Sequence, residues 1–269
     1  MQLLSAFLTQ IVSTFGVVVF FGLFIALARR LFCKLMGPSG PKILLWTGIV
    51  GTPVHELSHA FMCVIFGHKI TEIKLYSPHS REGVLGYVHH SYNPRNIYHR
   101  IGNFFIGTAP IIGGSAVLCL IMRLTVPDIF GSVFRELSGL GIDFSSVSDA
   151  FFSILSPVLK ALRIIFSPSG AANIMWWLFI VLSLLISTHM EVSISDIKSG
   201  FSGFFAISLI IFSMDFILYI VNKSLLMKVT AMIVGFSSVI TAFLAISFVF
   251  SLILILIALT VNIVKRIIG

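Results

Sequence analysis

Charged residues are scarce in this sequence: they make up 10% of the 269 residues, against roughly 25% in soluble domains. Hydrophobic residues make up 57%, so water cannot be the main solvent of the folded chain. The net charge of +8 does not indicate a nucleic-acid-binding protein, because the 18 lysines and arginines lie mostly between apolar runs and form no single patch with interleaved aromatic residues. Basic loops beside lipid headgroups account for the charge, so we expect the lipid bilayer as a partner and exclude nucleic acid.

Cysteine is also rare. The three cysteines, Cys33, Cys63 and Cys119, each lie in or beside an apolar run, and none belongs to a CxxC pair. This pattern excludes a secreted scaffold held together by disulfides. We therefore expect neither a disulfide framework nor a metal site with cysteine ligands.

Long apolar runs are abundant, and six of them can cross a bilayer as helices: 1–28, 43–67, 101–124, 171–188, 201–221 and 229–264. As one helix the last run would be about 54 Å long, against a hydrocarbon core of about 30 Å. It must tilt, protrude or break, and Gly235 is the candidate position for a break. We predict a single membrane domain over residues 1–269, with a core at 43–200 and flanking membrane helices at 1–32 and 201–264.

The second apolar run contains the motif His-Glu-Leu-Ser-His at residues 55–59. On a helix, His55 and His59 lie on one face, close enough for two imidazoles to bind one zinc ion. Glu56 can reach a water molecule on that zinc. Such polar residues within a span are costly unless a metal, a polar partner or a water-filled cavity satisfies them. The motif predicts a zinc site in the membrane; the alternatives are a polar cluster that packs helices together and an inactive remnant.

A catalytic zinc needs a third protein ligand, and residues 187–198 offer three candidates. Asp196 stands at the start of the fifth predicted helix, where its carboxylate could bind the metal. Ser193 and Asp196 also have the S-x-x-D spacing of a capping box, so Asp196 could serve the helix alone. His189 is the next candidate, as a ligand or as a residue that orients a ligand. Glu191 ranks last and would make the site a gluzincin.

One other carboxylate, Asp215, lies within a predicted span, about 9 Å from its end. We interpret Asp215 as a side chain that reaches towards the membrane surface or as a paired carboxylate, with Lys223 as the candidate partner.

The segment that follows the motif helix predicts a β-hairpin. Residues 71–76 alternate between apolar and polar side chains, a turn begins at Pro78, and residues 83–90 can return as the second strand. The predicted fold class is an all-α polytopic membrane protein with about six transmembrane helices and a small β-hairpin after the His-Glu-Leu-Ser-His helix.

Four stretches in this order resemble the site-2 protease family of intramembrane zinc metalloproteases, and look closest to a bacterial branch of it. They are His-Glu-Leu-Ser-His-Ala at 55–60, Gly-Tyr-Val at 86–88, Gly-Thr-Ala-Pro at 107–110, and Ser-Thr-His-Met at 187–190 followed by Ser-Asp-Ile-Lys at 195–198. The resemblance covers roughly residues 51–200.

The resemblance implies a three-helix catalytic core in which His55, His59 and Asp196 hold Zn²⁺ and Glu56 is the general base. It also implies membrane proteins or membrane-proximal peptides as substrates, a location in the bacterial inner membrane, and an active site nearer the cytoplasm. In such a site zinc lowers the pKa of a bound water to about 7, and the glutamate takes its proton.

Three other functions stay open. An ion transporter could use intramembrane histidine and glutamate to bind an ion in transit, although a motif on a continuous helix argues against this. A zinc-bearing but inactive protein could bind membrane segments without cutting them. A prenyl-protein-type membrane gluzincin would need an E-x-x-x-D arrangement, and the spacing from Glu191 to Asp196 is one residue too long.

Overall fold

The computed structural model describes residues 2–78, 84–138, 156–157 and 159–268. Its elements are α1 (Gln2–Met36, with a π-helical stretch at Val12–Gly16), α2 (Ser39–Ile65), β1 (Lys69–Lys74), β2 (Tyr87–Ser91), α3 (Ile97–Thr125), α4 (Pro127–Ser138), a helical turn at Pro168–Ala171, α5 (Ile174–Ser187), α6 (Ile194–Val221) and α7 (Lys223–Ile268). The predicted helical fold with a small hairpin after the motif helix is confirmed.

Four of the described helices begin at polar side chains that cap exposed backbone N–H groups, and at the start of α7 the Asn222 side chain accepts from the backbone N–H of Leu225 at 3.1 Å. The Asn96 side chain accepts a hydrogen bond from the backbone N–H of Tyr98, and that of Asn173 accepts one from Met175, both at 2.9 Å. Ser193 caps α6 in the same manner. Because the first turn of a helix has N–H groups without partners inside the helix, these short polar residues determine where α3, α5, α6 and α7 start.

Within the described ranges, four helical segments are long and apolar enough to cross a membrane, which indicates a membrane protein: Gln2–Met36, Ile97–Thr125, Ile194–Val221 and Leu244–Ile267. The predicted count of six spans is not confirmed. The apolar helix α5 has only 14 residues. Its length of about 21 Å is short of the hydrocarbon core of about 30 Å. In α2 the length of 27 residues suffices, but the polar residues of the motif lower its mean hydropathy.

The last apolar run does not break at Gly235, because α7 is one continuous helix of 46 residues. A single glycine costs a helix about 1 kcal/mol relative to alanine. That cost is too small to interrupt a helix whose neighbouring turns stay hydrogen-bonded. The helix is about 69 Å long, so it must extend beyond the hydrocarbon core or tilt within it.

The centre of the bundle is α3, which packs against α2, α5, α6 and α7. Leu118 and Met122 of α3 are 0% exposed and lie in one core with Phe179 of α5 and Phe250 of α7. The two phenylalanine rings meet edge to face, with centroids 5.4 Å apart. Because α3 holds α2 on one side and α6 on the other, the start of α6 lies close to the motif helix.

The hairpin is a two-stranded antiparallel sheet with Ile73 opposite Val88 and Lys74 opposite Tyr87. A bulge separates Ile70 from Glu72 in β1. The hairpin is attached to α2 by Tyr76, whose hydroxyl donates to the carbonyl of Leu45 at 2.7 Å. The predicted hairpin is therefore confirmed, although Gly83, the start of the predicted return strand, lies outside the described residues.

The interpretation of Asp215 as a surface-reaching carboxylate, or as a partner of Lys223, was wrong. Asp215 is 0% exposed and accepts a hydrogen bond from the amide of Gln10 at 3.0 Å. The same amide donates to Thr230 at 2.9 Å. Lys223 instead lies 4.9 Å from the centre of the Tyr219 ring. Gln10 of α1 thus joins Asp215 of α6 and Thr230 of α7 inside the bundle.

Candidate metal centre

The motif lies on the continuous helix α2, as its spacing predicted. Glu56 and His59 are buried, with 5% and 7% of their surfaces exposed, and His55 is half-buried. The two imidazoles are one turn apart, with ring centroids 5.0 Å apart. Both rings therefore face the same narrow space beside α2.

Each motif histidine is held by a backbone carbonyl. The Nδ1–H group of His55 donates to the carbonyl oxygen of His189 at 2.6 Å, and that of His59 donates to the carbonyl oxygen of Ile106 at 2.8 Å. A carbonyl oxygen can only accept, so in the neutral form the single proton of each ring lies on Nδ1. Both Nε2 atoms therefore carry free lone pairs.

The two Nε2 atoms lie 3.3 Å apart. Two acceptors at this distance cannot form a hydrogen bond with one another. In tetrahedral zinc sites, with bonds of about 2.0–2.1 Å to nitrogen, two nitrogen ligands are about 3.3 Å apart. Backbone carbonyls that fix the imidazole tautomer and orientation are a usual feature of metal sites. The geometry thus fits a cation shared by His55 and His59.

Asp196 of α6 completes the group. Its Oδ2 atom lies 3.7 Å from His59 Nε2, and one potential ligand atom from each of His55, His59 and Asp196 lies within 4.8 Å of the other two. The carboxylates of Asp196 and Glu56 are also close enough to repel each other. A divalent cation among the four side chains would offset that repulsion.

Asp196 also forms the predicted capping box. The backbone N–H of Ser193 donates to Asp196 Oδ2 at 3.0 Å, and the backbone N–H of Asp196 donates to Ser193 Oγ at 3.1 Å. Capping does not exclude coordination. A carboxylate has two oxygens and about four lone-pair sites, so the cap is compatible with a metal bond.

The other two candidate ligands lie outside this group. The side chain of His189 faces α2, with Nε2 2.9 Å from Thr47 Oγ1 and Nδ1 3.4 Å from Thr52 Oγ1. Only its backbone carbonyl touches the centre, through His55. Glu191 forms an ion pair with Arg29 of α1. The carbonyls of His189 and Ile106 could not be found from the sequence, because every residue has one.

The return segment of the hairpin passes directly over the motif helix at Gly86. A Cβ atom at this position would lie 2.8 Å from Glu56 Cγ and 2.7 Å from Thr52 Cγ2. Only glycine lets the backbone come this close to Glu56 without displacing it. The hairpin therefore forms one wall of the candidate centre.

Comparison of the chain with protein-family models, with curated proteins and with solved structures finds no match. Any functional assignment therefore depends on the geometry above and on the motifs of the sequence.

Proposed function

We propose that this chain is a membrane-embedded zinc metalloprotease that hydrolyses peptide bonds of membrane or membrane-proximal substrates. The observation that supports it most is the pair of Nε2 atoms 3.3 Å apart, each on a ring whose Nδ1 atom faces a backbone carbonyl, on a helix whose next residue after His55 is a buried glutamate. Among apolar helices these polar groups are costly unless a cation or another partner satisfies them. A carboxylate beside a bound zinc ion can take a proton from the water that the zinc activates, as hydrolysis requires.

In this proposal His55, His59 and Asp196 hold the zinc ion. Zinc bound there would polarise a carbonyl group and lower the pKa of a bound water to about 7. Glu56 takes the proton of the attacking water and later gives it to the leaving amine. The carbonyls of His189 and Ile106 keep both imidazoles in the tautomer that the metal requires.

We further propose that α2 and α5 also cross the membrane, which gives six spans. His59 lies six residues before the end of α2, or about 9 Å, and Asp196 lies in the first turn of α6. The end of α2 and the start of α6 are therefore on the same membrane face. Since α3 carries the chain to the opposite face, α5 must bring it back.

The proposed location follows from the resemblance to the site-2 protease family and is the bacterial inner membrane. A transmembrane substrate hides its scissile amides in helical hydrogen bonds, so it must unwind locally before it is cut. We propose that the unwound segment pairs with an edge of the hairpin, which exchanges helical hydrogen bonds for strand hydrogen bonds. Gly86 brings this hairpin next to Glu56.

The proposed function is tested by reconstituting the purified chain into lipid vesicles with membrane proteins and following cleavage by mass spectrometry. Cleavage is expected to stop when a chelator removes zinc and to return when zinc is restored, because the water can no longer be activated without the metal. A chain that holds zinc but cuts nothing would favour an inactive binder of membrane segments. Cleavage that persists without metal would contradict the proposal.

A second prediction concerns the approach of the hairpin to Glu56. The substitution Gly86→Ala is expected to lower kcat at least about tenfold, because a small displacement of positioned groups costs a large part of the rate. Zinc content should stay at the wild-type level, since the atoms nearest to an added Cβ at Gly86 belong to Thr52, Glu56 and Lys74 and not to the three proposed ligands. The matched control is Gly131→Ala, where an added Cβ atom meets nothing within 4 Å. Equal kcat in both variants would show that the hairpin does not position the reacting groups.

A further inference from the structure

A second group of potential metal ligands lies one helical turn beyond the motif. It consists of Cys63, His68 and His90, with one ligand atom from each residue within 4.8 Å of the other two. Cys63 is 0% exposed, His68 is 5% exposed, and His90 is half-buried. The sequence had led us to expect no cysteine metal site, because no CxxC or similar spacing surrounds Cys63.

The end of α2 brings Cys63 and His68 together. Gly67 has φ of +69°, and the backbone N–H of His68 donates to the carbonyl of Cys63 at 2.8 Å. This left-handed glycine with a backward hydrogen bond is the usual way in which a helix ends and the chain turns back over its last turn. His68 is therefore held beside the cysteine by the helix cap itself.

The hairpin supplies the third member. His90 of β2 is paired with Ile70 at the base of the hairpin. Successive side chains of a strand point to opposite faces. His90 accordingly faces the end of α2, whereas the side chain of its neighbour His89 is 65% exposed.

The imidazoles have the arrangement that a metal site needs. The Nε2–H group of His68 donates to the carbonyl oxygen of His99 at 2.9 Å, so Nδ1 of His68 carries a lone pair. Nδ1 of His90 lies 3.1 Å from it, close to the separation of about 3.3 Å between two nitrogen ligands of tetrahedral zinc.

We propose that Cys63, His68 and His90 form a second metal site, distinct from the His55, His59 and Asp196 centre, and that its ion is Zn²⁺. One thiolate and two imidazoles are a ligand set that suits zinc, and a water molecule can take the fourth position. Binding releases the thiol proton of Cys63 to the solvent, since the thiolate is the ligand. The ion joins the end of α2 to β2 and so fixes the hairpin against the motif helix.

Cobalt provides a signal that only this second site can give. Co²⁺ bound by a thiolate has a charge-transfer absorption from sulfur in the near ultraviolet, and the first centre contains no sulfur ligand. Wild type in detergent, loaded with Co²⁺, is expected to show this absorption, and so is His59→Ala. Cys63→Ser should lose it, whereas Cys33→Ser, which removes a cysteine outside the group, should keep it.

The strand offers a matched pair of variants. His90→Ala is expected to lower bound zinc by about one ion per chain, while His89→Ala, on the other face of β2, keeps the wild-type content. A wild-type chain with no thiolate absorption would refute the second site, and so would an absorption that survives Cys63→Ser. In both cases the 3.1 Å contact between Nδ1 of His68 and Nδ1 of His90 is a hydrogen bond between the two imidazoles. Neither result bears on the first centre, whose loss is read from His59→Ala.

Discussion

Glu56→Gln is expected to lower peptide-bond hydrolysis by a factor of about 100 to 10,000 while zinc stays bound. Glutamine has almost the same shape as glutamate but cannot accept the proton of the attacking water. Glu56 is 5% exposed and lies beside the group formed by the three ligands, so the substitution removes the base and leaves the ligands in place. The measurement is kcat on a membrane substrate in vesicles, with zinc content determined on the same sample.

The control for this variant is Glu191→Gln, which removes a carboxylate that pairs with Arg29 outside the centre. It should leave both hydrolysis and zinc content near wild type. Undiminished hydrolysis in Glu56→Gln would exclude Glu56 as the base, and loss of zinc together with hydrolysis would make Glu56 a ligand. The variant also separates protease from transporter, because a carrier of ions requires no general base.

The motif helix and the hairpin were predictable because their signals are local. His55 and His59 are four residues apart, and a helix places that spacing on one face. The alternation of residues 71–76 and the turn after them predicted a hairpin from neighbouring positions alone. The capping box of Ser193 and Asp196 is local in the same sense, and it was confirmed.

Two of the errors concern contacts between distant parts of the chain. Asp215 has its partner Gln10 205 residues earlier in the sequence, and nothing beside Asp215 indicates it. Cys63 meets His90 only because the hairpin folds back over α2. The predicted break at Gly235 was wrong for a local reason, because one glycine costs a helix only about 1 kcal/mol.

The proposed metal centre combines both kinds of information. The local pattern predicted that Asp196 is either a ligand or a cap. Because α6 and α2 both pack against α3, the capping carboxylate of Asp196 also lies close to His59, so Asp196 can serve in both roles. Distance along the chain could not decide this, because 137 residues separate His59 from Asp196. The roles of His189 and Glu191 likewise depend on which helices they face.

His59→Ala is expected to weaken zinc binding at the first centre more than the loss of a residue that only orients a ligand would. Loss of such a residue costs about 10–100-fold in metal affinity. In the proposed centre the substitution removes one of three protein bonds to the metal. It also leaves the carbonyl of Ile106 without the Nδ1–H group that now donates to it at 2.8 Å. Zinc affinity should be measured in a Cys63→Ser background, so that only this centre contributes.

Asp196→Asn and His189→Ala then separate coordination from capping. Asparagine keeps an oxygen that can accept from the Ser193 N–H group, but it loses the negative charge of the carboxylate. Zinc affinity should therefore fall, while the thermal stability of the metal-free chain is retained.

His189→Ala keeps the backbone carbonyl that holds His55. It removes only a side chain that faces Thr47 and Thr52, so zinc should stay bound. If His189→Ala empties the centre and Asp196→Asn leaves it full, Asp196 is a helix cap alone and the third ligand is His189.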